Sequence, residues 1–157
     1  MDIEWQSADA IVNVEFRREP ARDHGGCGIA LLRQGHYTAA VRELVQAVEA
    51  DPADNEAHYY LALALLDGAR PHRSPRRVVE SVRRHLDTAR ALPEARVLRV
   101  LVDEDQELLW RLYPATPQAL VDLVDQVDWE RALEIIRHVP AREARTFQVL
   151  ERAVTTP

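Results

Sequence analysis

The sequence predicts an all-α protein, a short array of helical hairpins closed at its C-terminal end by further helices. Three observations carry this. Glycine is scarce, five in 157 residues, while Ala, Leu, Val, Arg and Glu abound, which favours helix over sheet. Apolar residues recur at three- and four-residue spacings along much of the chain. Prolines at 52, 93 and 140 fall where those stripes stop, and proline disfavours helix at the residue before it.

The head comes first. In residues 1–20, Trp5, Ala8, Val12 and Phe16 form a helical stripe. Residues 11–16 also alternate like a strand; the helical reading is preferred, with the head packing on the first repeat. "GIALLRQ" reads as a short helix ending at a turn that Gly35 permits. "GHYTAAVRELVQAVEADP" then carries a stripe of Tyr37, Val41, Leu44, Ala47 and Val48, closed by Asp51 and Pro52. A third helix, "NEAHYYLALALLDGA", starts after Asp54, a natural N-cap. The partner helix is delayed by "RPHRSPRR", after which Val78, Val82, Leu86 and Ala89 resume the period and Pro93 ends it.

Residues 94–114 are strongly apolar at Val97, Leu98, Leu101, Leu108, Leu109 and Leu112. They read as one long helix, or as two broken near Asp103. "TPQALVDLVDQV" starts with Thr116 as N-cap and Pro117 at the first helical position. "DWERALEIIRHVP" comes next, with Asp128 as N-cap and Pro140 as stop, and "AREARTFQVLERAV" makes a last helix. These short helices suit a cap.

Residues 21–93 thus hold two helix–turn–helix units, and their spacing resembles the tetratricopeptide repeat. That family has a period of about 34 residues and a pattern of Trp, Leu, Gly, Tyr, Ala, a bulky apolar residue and Pro. Gly28, Leu31, Gly35, Tyr37, Ala40, Leu44, Ala47 and Pro52 match it, while His24 and Cys27 stand where Trp and Leu are usual. In the second unit His58, Leu61, Ala62 and Leu65 take the equivalent places, and about eight residues are inserted near 70–77 relative to the family period. Solenoid repeats bury their apolar faces on neighbours, so residues 94–157 are expected to supply a degenerate third unit and capping helices. The predicted class is therefore an all-α, tetratricopeptide-like helical-hairpin solenoid.

The resemblance implies function as well as fold. First helices of successive repeats line a groove that holds a peptide or a partner's helix. Carried onto this chain, that groove comprises Ile29, Leu32 and Arg33 from the first unit, and Tyr59, Leu63, Leu66 and Asp67 from the second. The lysines and asparagines with which some members clamp chaperone C-termini are absent, so no binding of that kind is expected.

Charge narrows the alternatives. The net charge is −6, which disfavours general binding to nucleic acid or to an anionic membrane. All 20 basic residues are arginine, as in GC-rich bacterial coding sequences. No run approaches the roughly 18 apolar residues of a membrane span, and the N-terminus lacks a secretory pattern; a cytoplasmic protein is expected. Cys27 is the sole cysteine, so no intrachain disulfide forms.

No motif carries catalysis. His24, Cys27 and His36 lack the paired spacing of a zinc site, "HGGCG" lacks the strand and lysine of a phosphate loop, and Ser7, Ser74 and Ser81 sit in no nucleophile elbow. No enzyme activity, metal or cofactor is expected. The sharpest local feature is basic: seven arginines between Arg70 and Arg90, against Glu80 and Asp87. Arg70, Arg73, Arg76 and Arg77 are therefore candidate contacts to an anionic partner. The competing reading is a solvated loop paired with local acids such as Asp67. Protein binding is the leading expectation. Phosphate or nucleic-acid recognition through the arginine loop is the alternative, and self-association through the acidic run "DEDQE" stays open.

Overall fold

A computed structural model describes residues 22–107 and 117–156. These residues form eight α-helices and one turn of 3-10 helix, with no strand among them. The described residues are all-α, as composition and periodicity predict. The reading of the head as helix, the second half of residues 94–114 and the Thr116 cap lie outside the described residues.

Helix α1 (His24–Arg33) starts earlier than "GIALLRQ" suggests, because the Asp23 carboxylate accepts a hydrogen bond from the Gly26 N–H at 2.9 Å. "HGGCG" is thus helix and not a loop. Gly35, at φ 81°, makes the turn into α2 (Tyr37–Ala50). Gly28 lets the two helices touch: a Cβ there would lie 2.5 Å from Leu44 Cγ. Asp51 is extended before Pro52 and ends α2.

Helix α3 (Asn55–Leu65) is capped by Asp54, whose side chain accepts from the Ala57 N–H at 3.1 Å. Its residues 57–64 are all buried. A helix apolar on all sides belongs at the centre of a fold, and α3 is that centre here. The chain leaves it through Asp67 and Gly68, both at positive φ, with Gly68 pressed against the Tyr37 ring. The basic insert then forms a 3-10 turn at Pro71–Arg73.

Helix α4 (Arg76–Thr88) buries Val79, Val82 and Leu86 on one side. Pro93 does not close it. The helix stops at Thr88, and Pro93 opens α5 (Pro93–Glu107), where a missing N–H costs no helical hydrogen bond. Nor does α5 break at Asp103; it continues through it. Each of the first five helices packs on the next, and α1 also touches α3.

The remaining helices are α6 (Gln118–Val124), α7 (Trp129–His138) and α8 (Arg145–Thr155). Leu120, Val124, Ala132, Ile135, Phe147 and Leu150 join the same apolar core as the first five helices. Asp128 stands at the N-cap position of α7, but its side chain makes no capping bond.

The acidic run at the end of α5 ties three elements together. Asp103 accepts from Arg83 at 2.9 Å and from Arg99. Glu104 accepts from the backbone N–H and the hydroxyl of Thr146, at 3.0 and 2.8 Å, holding the start of α8. Asp105 receives Arg70 and His72 of the basic insert.

Candidate functional site

A partly buried polar cluster lies where α1, α3 and α7 meet. Tyr60, fully buried on α3, donates to Glu134 of α7 at 2.8 Å. The other Glu134 oxygen accepts from Arg33 Nε at 2.7 Å. Arg131 donates to the Tyr60 hydroxyl and stacks its guanidinium over the same ring, 5.0 Å from the centroid. It also reaches Glu56 at 3.2 Å and approaches Glu94 at 4.0 Å. Every charge in the cluster has an opposite partner, as burial demands. Burial first, and then the hydrogen bond to Glu134, pushes the Tyr60 hydroxyl well above its ordinary range, so it stays protonated and donates.

Above this cluster opens a cleft of about 290 Å³ lined by Arg33, Trp129, Glu130, Arg131, Leu133, Glu134 and Arg137. Helical spacing builds it: Glu130, Leu133, Glu134 and Arg137 stand at i, i+3, i+4 and i+7 on one face of α7. Trp129 is 58% exposed, the one large hydrophobic residue so exposed among the described residues. Its indole N–H donates to the Val154 carbonyl at 3.2 Å, which fixes the ring. The Arg33 side chain is 57% exposed despite its bond to Glu134. Arg137 is exposed and makes no hydrogen bond or ion pair with the described residues.

The sequence-predicted residues divide. Arg33 lies in this cleft. Tyr59, Leu63 and Leu66 do not line an open groove: each is fully buried in the core, as is Leu32. All of residues 57–64 are buried because α3 packs on α2 and α4 and touches α1, which leaves it no open apolar face. Asp67 is exposed but sits in the turn after α3, beside a second, more apolar depression of about 400 Å³ with Tyr37, Val41, Arg42 and Leu65.

The basic insert divides too. Arg70 is committed inward: its Nε and Nη2 donate to Asp105 Oδ1 at 3.2 and 2.7 Å. The local acid is therefore Asp105 and not Asp67. Burial alone would raise the Asp105 carboxyl; the bonds from Arg70 and His72 outweigh this and hold it below its ordinary range. Arg76 pairs with Glu80 one turn on, at 2.9 Å and in solvent. Arg73 and Arg77 are exposed and form no ion pair with the described residues. Within the "DEDQE" run, Asp103 and Asp105 meet arginines of their own chain.

His24 pairs with Glu43 at 2.7 Å, and Arg22 donates to the same carboxylate. Among the described residues no group of three His, Cys, Asp or Glu side chains is placed to hold a metal ion. No described helix is long and apolar enough to cross a membrane.

The chain matches no family model, no curated protein and no solved structure. The cleft must therefore be read from its own chemistry. Trp129, Arg131, Glu134 and Arg137 were missed because "DWERALEIIRH" reads as a capping helix. The available signal was a tryptophan in the first turn of a helix, followed by charges at helical spacing at Glu130, Glu134 and Arg137.

Proposed function

We propose that this chain is a non-enzymatic protein-interaction module. In this reading it is a short tetratricopeptide-like array, and it holds a segment of a partner protein in the cleft between α1 and α7. Three features support the architecture. Each early helix packs on the next, α1 touches α3, and small residues (Gly28, Ala40, Ala62) stand at close contacts.

One observation carries the binding site: an exposed, hydrogen-bond-anchored Trp129 beside Arg33 and Arg137 in a concave site. Trp and Arg are among the residues that most often dominate interface energies, Trp for its large rigid ring and Arg for its planar, multi-donor guanidinium. Pinning the indole beforehand lowers the ordering cost of association. Recognition through the arginine insert has less support, since Arg70 and Arg76 are already paired.

The test is site-specific photocrosslinking in the native host. A benzophenone amino acid replaces Glu130, exposed in the cleft, in one variant and the exposed Gln148 of α8 in another. The expected result is one protein adduct from position 130 that disappears when Trp129→Ala is added. Equal adducts from both positions, or none from 130, would refute the site.

A further inference from the structure

Resting on that reading of the cleft, we infer the chemistry of its occupant: a peptide segment of a partner presenting a single Asp or Glu beside a large apolar side chain. Among the lining cations Arg33 is paired with Glu134 and Arg131 with Glu56, Glu94 and Glu134, which leaves Arg137 as the one without an ion pair among the described residues. One unpaired guanidinium matches one carboxylate. A phosphate dianion would exceed it and would meet the exposed Glu130.

The donors are placed for a carboxylate. Arg33 spends Nε on Glu134, and its Nη2 stands 3.5 Å from the Tyr60 hydroxyl, a long contact. The outer edge of that guanidinium remains available. Arg137 adds a second guanidinium with no bond to the described residues. Arginine's planar fork suits a carboxylate in a bidentate pair. The chain already makes an arginine–carboxylate pairing here, between Arg33 and its own Glu134.

Trp129 sets the other half of the code. Its N–H is used by Val154, so the ring offers a ligand only apolar surface. An aliphatic or aromatic side chain next to the acid would cover it, and Leu133 continues that surface along α7. The segment should carry one acid and not a run of them, because the protein as a whole is acidic at −6 and would repel a polyanion.

Random heptapeptides displayed on phage and selected on the full chain test this. Enriched peptides should share one Asp or Glu within two positions of a large apolar residue. In synthetic versions, changing that acid to its amide should weaken binding about tenfold, the scale of a directly paired charge. Arg137→Ala should weaken the acidic peptide similarly and leave the amide version unaffected. Circular dichroism of this surface variant should match the parent. Enriched peptides that need Trp129 but carry no acid, or whose binding ignores Arg137, overturn the carboxylate inference while leaving the cleft in place. Peptides indifferent to both Trp129 and Arg137, or no enrichment, overturn the cleft reading with it.

Discussion

Arg70 donates two hydrogen bonds to one oxygen of Asp105, and the carboxylate is buried to 1% exposure while its other oxygen accepts the His72 backbone N–H at 3.0 Å. The first arginine of the basic insert is therefore a structural residue. Removing it leaves a buried carboxylate without its guanidinium, a change that costs about 3–5 kcal/mol when a buried pair is broken. Arg70→Ser should lower the unfolding free energy on that scale in urea titration. Arg73→Ser and Arg77→Ser, at exposed positions, should each move it by no more than about 0.5 kcal/mol. Equal effects at all three would show that the insert does not lean on α5.

Two adjacent tyrosines should behave oppositely. Tyr60 bonds Glu134 and Arg131, whereas the Tyr59 hydroxyl, fully buried, has no hydrogen-bond partner among the described residues. Hydrogen bonds to charged groups contribute about 1.5–3 kcal/mol, and an unsatisfied buried hydroxyl costs about 1–3 kcal/mol. Tyr60→Phe should therefore destabilise by about 2 kcal/mol, and Tyr59→Phe should be neutral or stabilising. Thermal melts of the two variants decide it; a Tyr59→Phe protein that melts early would mean that the hydroxyl is satisfied after all.

The histidines make stability depend on pH near neutrality. His58 Nε2 donates to the Pro52 carbonyl at 2.8 Å, so its Nδ1 is the acceptor for His85 Nδ1, 2.9 Å away. One of the two Nδ1 atoms must accept, so the contact cannot form with a proton on both. Burial, then His58, then Arg84 lower the His85 value. His138 Nδ1 shares a hydrogen bond with the Tyr37 hydroxyl at 2.7 Å; burial chiefly lowers the His138 value, and Arg137 and Arg33 add to this against an opposing pull from Glu134. A depressed folded value means the unfolded chain binds more protons. The stability is thus complete above the unfolded histidine value of about 6.5 and is lost as pH falls below it toward the folded values. Melting temperature should be level above neutrality and should drop between about pH 6.5 and 5. His85→Asn should flatten part of that slope.

Close helix contacts predict overpacking. Gly28 has no room for a Cβ against Leu44, and Ala40 and Ala62 are fully buried. Gly28→Ala, Ala40→Leu and Ala62→Leu should each destabilise by about 1–3 kcal/mol. Unchanged melting at all three would mean that these helices approach less closely than described.

Local signals made much of the fold legible. Asp54 as a cap, Gly35 as a turn and the stripes of α2 and α4 all arise from spacing and backbone chemistry. What spacing did not reveal was long-range placement. Pro93 can end one helix or begin the next, and only the geometry of the Thr88–Pro93 connection decides between them. Arg70 could pair with any nearby acid; its partner lies 35 residues away. Tyr59, Leu63 and Leu66 are apolar positions on a first-type helix, open or closed according to what packs on them, and here they are closed. The cleft was hidden for the same reason, since Arg33 and Glu134 lie 101 residues apart.

The proposed partner binds at the α1–α7 cleft, and not at the buried face of α3 or the arginine face of α4. Amide hydrogen exchange of the full chain, with and without its crosslinked partner or a selected peptide, separates these surfaces in one experiment. New protection should centre on residues 129–137 and on the end of α1 around Arg33. Protection centred instead on residues 73–84, or on the Tyr37–Asp67 depression with the 129–137 segment unchanged, would contradict it.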